Sequence, residues 1–186
     1  TAPAMPGLCT QAAYTVESNG RLTVSAHYHG EKGRPELPLF GLRFATPELV
    51  ERVEWLGLSG ETYPDRKKGG VFGWHRERPH IPPYLAPQEC GCHVDARALL
   101  LRAPDGGRLA LEMVDSPFAF SALPYTPQQL EQAAHVEELP VPVRTVVTLC
   151  GAMRGVGGID SWGSDVEEAF RLSGAEDREF TLRLII

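Results

Sequence analysis

The chain has 186 residues, 42% of them hydrophobic and 23% charged, with a net charge of −6. This size fits one domain spanning residues 1–186 with a real core, and falls short of the about 250 residues of a (β/α)8 barrel. The acidic balance excludes a nucleic-acid or anionic-membrane surface, which needs a concentrated basic face. No apolar run reaches the length of a membrane span, and residues 1–10 lack the charged-then-apolar layout of a signal peptide, so a cytoplasmic protein is expected. Opening on Thr1 rather than methionine, the chain reads as processed or cut from something longer.

Residues 14–17 and 21–29 alternate apolar and polar side chains around Ser18-Asn19-Gly20, where Asn-Gly supplies a hairpin turn. Leu22, Val24, Ala26 and Tyr28 share one face, and His27 and His29 the other. Residues 39–44, 52–58 and 71–75 read as further strands. The proline-rich run 78–89 is neither a central strand nor a helix. A second hairpin joins 96–102 to 108–114 through Pro104-Asp105-Gly106-Gly107, and 118–123 is strand-like. One helix follows, with Thr126 as N-cap, Pro127 in the first turn and Gln129 closing a capping box before residues 130–135. Residues 143–150, 165–172 and 179–186 complete the strands. Many short strands, turn signals between them and a single helix predict an all-β fold, an antiparallel β-sandwich.

Residues that could carry chemistry are scattered. Cys90-x-Cys92-His93 is too tightly spaced for the usual zinc pair and lacks a second pair, so the thiols, with Cys9 and Cys150, read as buried or free. His27 and His29 suit a metal in type, yet no third ligand stands near them in the sequence, and exposure is the plainer role. Glu51, Glu54, Glu137, Glu138, Glu167 and Glu168 fall on charged faces or loops. Serine and cysteine nucleophiles have no recognisable elbow. The residues alone therefore favour a binding surface over a self-sufficient active site.

The stretch that stands out is Arg154-Gly155-Val156-Gly157-Gly158-Ile159-Asp160-Ser161-Trp162-Gly163, a glycine-rich strap ending in a large aromatic. It lacks the last glycine and the Gly-Lys-Ser/Thr of a phosphate loop. Trp162 reads either as core or as an indole face offered to a ligand ring. Trp55, in residues 51–66, reads as core, with Asp65 and Arg66 fixing a turn by charge-assisted hydrogen bonds.

Four stretches in sequence resemble the C-terminal, small-chain (domain 5) region of family-2 glycoside hydrolases of β-galactosidase type. Trp55-Leu56-Gly57-Leu58 with Glu61, Tyr63, Asp65 and Arg66 is similar to the family's W-x-G-x-G-P-x-E-x-Y-x-D-R. Pro87-Gln88-Glu89-x-Gly91 with Asp95 and Arg97 is the second. The third runs from Phe120-Ser121 through Pro124-Tyr125-Thr126 to Leu130, His135 and Glu138-Leu139-Pro140, and the strap is the fourth. Ile159 stands where the family usually has a second aspartate, Ser59-Gly60 replaces Gly-Pro, and Ala98 takes the place of a frequent tryptophan.

The resemblance implies a galactose mutarotase-like supersandwich, of which this chain is an incomplete part, in an enzyme that hydrolyses terminal β-D-galactosides such as lactose. It implies that Trp162 closes a carbohydrate site, that Asp160 and Ser161 shape its loop, and that the two catalytic glutamates lie on a barrel outside this chain. The implied partners are that barrel, the upstream domains and a galactoside, with a homo-oligomer open. No metal or other cofactor is implied within the chain, the family's Mg and Na belonging to other domains. A free-standing, lectin-like galactoside-binding module is the alternative, and a mutarotase-like enzyme the third, for which no acid/base pair stands out.

Overall fold

A computed structural model describes residues 10–185, so Cys9 and Ile186 lie outside the described residues. The strands are β1 (Thr10–Val16), β2 (Arg21–Tyr28), β3 (Leu39–Ala45), β4 (Arg52–Leu58), β5 (Phe72–Glu77), β6 (His93–Ala96), β7 (Ala98–Arg102), β8 (Arg108–Met113), β9 (Phe118–Leu123), β10 (Val146–Met153) and β11 (Arg178–Ile185). One α-helix, α1 (Pro127–Gln132), joins them. They form a seven-stranded sheet, β1-β2-β11-β8-β7-β4-β5, and a four-stranded sheet, β3-β10-β9-β6. Every strand pairing is antiparallel.

The β1–β2 hairpin turns where expected: Gly20 takes φ +83°, its N–H donates to the Glu17 carbonyl, and the Asn19 side chain accepts from Arg21 N–H at 3.0 Å. The β7–β8 hairpin turns through Gly106 at φ +92°, with Gly107 N–H donating to Asp105 Oδ1. The last strand returns to the middle of the large sheet, between β2 and β8.

The two sheets face each other across one core. Tyr28, Val53, Trp55, Leu99, Leu101, Leu111, Phe180 and Leu182 come from the large sheet, and Phe40, Phe118, Phe120, Val147 and Leu149 from the small one. β4 shows the alternation that half-buried strands require, with Val53, Trp55 and Gly57 buried and their neighbours partly exposed. Trp55 is 2% exposed; its indole N–H donates to the Leu58 carbonyl at 2.9 Å, and it lies against His93 and Phe120 with ring centroids 4.4 and 5.8 Å away. β1, at the edge of the sheet, is exposed along its whole length. Among the described residues no helix is long and apolar enough to cross a membrane.

Several expectations shift. Residues 165–172 are not a strand but a loop holding a 3-10 turn, Glu168–Phe170. Val166 and Leu172 anchor that loop in the interior, while the Asp165 carboxylate accepts from Val166 N–H and turns the chain away from a ladder. The strand expected over 96–102 breaks at Arg97, two residues after Asp95 at φ +58°: Ala96 ends β6, which belongs to the other sheet, and β7 starts only at Ala98. The strand expected over 143–150 begins only at Val146 and runs on to Met153 past a bulge between Cys150 and Ala152. The helix has its capping box, with Thr126 Oγ1 accepting from Gln129 N–H and Gln129 Oε1 from Thr126 N–H, but ends at Gln132.

Candidate functional site

β10 runs directly into the glycine strap, and the strap carries Trp162 outward. The ring is 92% exposed, with Val156 (54%) and Ile159 (49%) also on the surface. Asp160 shapes the tip: its Oδ1 accepts from the N–H of Trp162 at 2.8 Å and of Ser164 at 3.2 Å, and its Oδ2 accepts from the Ser164 hydroxyl. These bonds, the Ser164 hydroxyl first, hold the Asp160 carboxyl below its ordinary value. Ser161 lies exposed on the tip, and the hydroxyl that meets Asp160 is that of Ser164. Gly157, Gly158 and Gly163 take φ of +72°, +71° and +83°, which side chains rarely adopt, so the bend itself requires glycine.

The base of the strap is gripped from the turn after β4. Asp65 Oδ1 accepts from Val156 N–H at 3.0 Å and Asp65 Oδ2 from Gly157 N–H at 2.9 Å, while Arg66 donates to the Gly157 carbonyl. The Asp65 side chain is only 5% exposed. Burial works to raise its carboxyl, but the two strap amides outweigh it, helped by Arg66, and hold it below the usual carboxylate range. A Cβ on Gly155 would stand 2.7 Å from the Asp65 carboxyl carbon, so that glycine is what lets strap and turn approach. The turn itself is closed by backbone bonds exchanged between Tyr63 and Arg66, with Arg66 Nη1 donating to the Asp65 carbonyl at 3.0 Å, whereas the Asp65 carboxylate expected to fix it grips the strap instead, a task the sequence did not reveal.

Further ties close the base from the other side. Arg154 and Arg171 both reach the Asp165 carboxylate, Arg171 at 3.1 Å, and both reach Glu36, at 3.6 and 3.5 Å. Under this base lies a cleft of about 490 Å³ lined by Asp65, Arg66, Lys68, Ile159, Glu167 and Phe170. Ile159 puts an aliphatic side chain there.

Glu61 organises the neighbouring loops: it accepts from Tyr63 OH at 2.6 Å, Tyr84 OH at 2.9 Å and Gly91 N–H at 2.7 Å, which fastens the proline-rich run 78–92 to the turn. Burial and the Glu61 bond push the Tyr63 phenol well above its ordinary value, and the Glu61 bond takes Tyr84 up to about 12. Cys90, Cys92 and Cys150 are buried, and burial raises all three thiols, Cys90 to about 11 and Cys150 to about 12. They are packing residues. His93, which completed the zinc reading, is buried between Trp55 and Phe120, with Nδ1 on the Gly60 carbonyl at 2.8 Å and Nε2 beside Glu77 at 3.2 Å.

His27 and His29 share a face as expected, with ring centroids 4.0 Å apart. The third donor that the sequence did not supply is Asp177, just before β11, and the ligating atoms of the three lie within 4.8 Å of one another. None of the three belongs to the strap.

The family described as "Beta galactosidase small chain" matches residues 1–184. The chain is 48% identical to the "Beta-galactosidase small subunit" of Latilactobacillus sakei over 96% of its own length and 60% of that protein's. It is 35% identical to a "Beta-galactosidase" of Halalkalibacterium halodurans, over 91% of this chain and 17% of that one, and 32% identical to a "Beta-galactosidase" of Streptococcus thermophilus, over 97% and 18%. The chain thus spans less than two thirds of the small subunit and under a fifth of the longer relatives.

Proposed function

Since the chain belongs to the beta galactosidase small chain family, we propose that it works as the small-chain part of a retaining β-galactosidase of glycoside hydrolase family 2, whose barrel supplies the two catalytic glutamates. The assembled enzyme hydrolyses terminal β-D-galactosides such as lactose, and this chain closes the sugar site and is inactive alone. The observation that carries the reading is Trp162, 92% exposed at the tip of a strap whose base is tied by Asp65, Arg66 and the Arg154/Arg171 ion pairs.

An indole offers about 150–250 Å² of surface, and covering half of it with the C–H face of a pyranose is worth about 2–3 kcal/mol. A strap tied only at its base can bring such a ring over a bound sugar while the sugar's hydroxyls bond elsewhere. Asp160 sets the direction of the ring through the Trp162 N–H, and Ser161 sits beside it at the tip.

The test uses a nitrophenyl β-galactoside with this chain alone, with its barrel-bearing partner alone and with both. Turnover is expected only with both. Trp162→Ala in the assembled enzyme should raise KM by at least about tenfold, since the loss of about 2–3 kcal/mol of stacking would exceed the about 1.4 kcal/mol that a tenfold change requires. Turnover by the chain alone, or an unchanged KM in the variant, would overturn the division of roles.

A further inference from the structure

We propose that His27, His29 and Asp177 form a binding site for one divalent transition-metal ion, zinc being the best match, at the outer face of the large sheet. Two imidazoles and one carboxylate are the donor set that zinc and its neighbours favour over magnesium or calcium, which prefer all-oxygen shells. With solvent in the fourth position the ion is tetrahedral. Among the described residues no other three histidines, cysteines or carboxylates converge in this way.

The geometry is built into the fold. His27 is on β2 and His29 just beyond its end, two residues apart and therefore on one face, with Tyr28 between them turned into the core. Asp177 is delivered by the turn that precedes β11, and this turn is clamped to the end of β2. Tyr28 OH donates to the Gly174 carbonyl at 2.7 Å, Glu31 N–H donates to the same carbonyl at 3.3 Å, and Gly30 N–H donates to Asp177 Oδ1 at 2.8 Å. A Cβ on Gly30 would stand 2.4 Å from the Glu176 backbone, so only glycine permits the approach.

The Gly30 bond occupies one carboxylate oxygen and leaves the other facing the rings: Asp177 Oδ2 is 3.7 Å from His27 Nε2. That is too long for a hydrogen bond and close to the about 3.3 Å that separates two ligands on a tetrahedral zinc with bonds near 2.0–2.1 Å. His29 is exposed and free to rotate the small remaining distance. Glu179, directly opposite His27 in the β2–β11 register, adds negative charge beside the site.

The experiment is calorimetric titration of the complete, untagged, metal-stripped protein with zinc chloride, and in a parallel arm with magnesium chloride. One zinc per chain is expected, and no magnesium. His27→Ala and His29→Ala should each weaken zinc binding by at least about tenfold. Asp177→Asn is the cleaner variant, because the amide oxygen still accepts from Gly30 N–H and the turn stays closed while the ligating charge is lost; it should weaken zinc as well, with an unchanged circular dichroism spectrum. Cobalt in place of zinc should give visible absorption bands that the double variant His27→Ala/His29→Ala lacks. Zinc uptake equal in the wild type and the double variant, or none in either, would overturn the site, and neither result touches the galactosidase reading.

Discussion

Trp55 and Trp162 have the same side chain and opposite surroundings. Trp55 is 2% exposed, its ring enclosed by His93, His75 and Phe120 and its N–H satisfied by the Leu58 carbonyl. Trp162 is 92% exposed, and the bond that positions it is made by its backbone N–H to Asp160. Core aromatics are held by what touches the ring, whereas the strap holds the backbone beneath the ring and leaves the ring itself uncovered. Residue type does not separate the two; the neighbouring pattern does, since Trp55 sits in an alternating strand and Trp162 follows a run of glycines.

The largest break in this comparison is at Trp55. Replacing it with alanine removes the ring that links β4 to both His93 and Phe120, and should destabilise the protein by about 3–5 kcal/mol in denaturant unfolding. A loss under about 1 kcal/mol would mean that the two sheets close without it.

Next in size is the junction between the two regions. The turn that follows Trp55's strand supplies Asp65, which holds the strap that carries Trp162, so the buried tryptophan's neighbourhood positions the exposed one. Asp65→Ala leaves the Val156 and Gly157 amides without their acceptor and should cost about 1–3 kcal/mol. Gly155→Val pushes a side chain into the Asp65 carboxyl and should act in the same direction. In both variants the amides of Val156 and Gly157 should lose hydrogen-exchange protection while Trp55 keeps its buried fluorescence. Retained protection in Asp65→Ala would show that the Arg154/Arg171 pairs suffice.

How much of this was legible in the sequence follows the range of each interaction. The hairpins at Asn19-Gly20 and Gly106-Gly107 and the capping box at Thr126 were readable because their bonds span two to four residues. The strap was readable from its glycines, and the family resemblance singled out its tryptophan. The Asp65 grip was not, because its partners lie 91 and 92 residues away and the sequence offered a local turn as the plainer role for the carboxylate. Asp177 escaped for the same reason: Gly30 and Asp177 are 147 positions apart and meet only because β11 inserts beside β2. The strand expected over 165–172 failed because its apolar residues suit a loop pinned at Val166 and Leu172 as well as they suit a strand.

Acid gives a smaller and graded version of the Asp65 variant. Its native carboxyl is held below the ordinary value near 3.9, so its stabilising effect is fully present above about pH 4 and is lost as pH falls through the lower native value. Asp165, held low by the Val166 N–H and by Arg154 and Arg171, acts in the same direction. The amide signals of Val156 and Gly157 should therefore move only below about pH 4, and the movement should vanish in Asp65→Asn. A transition near neutrality would point to a different group.

The smallest effect on folding is expected at Trp162 itself, and its smallness is what gives the variant its value. A residue that is 92% exposed buries little surface in the folded state, so Trp162→Ala should alter unfolding by no more than about 0.5 kcal/mol, against the several expected at Trp55. The same substitution should remove part of the solvent-exposed tryptophan emission, leaving that of Trp74, which is 64% exposed, and the buried part, that of Trp55, in place. A stability-neutral change at Trp162 that still raises KM in the assembled enzyme would separate the two tryptophans by function as sharply as exposure separates them in the fold. If Trp162→Ala instead lowered stability by 1 kcal/mol or more, on the order of a lost core contact, the ring would have to be packed in solution, and the strap could not be offering it to a sugar.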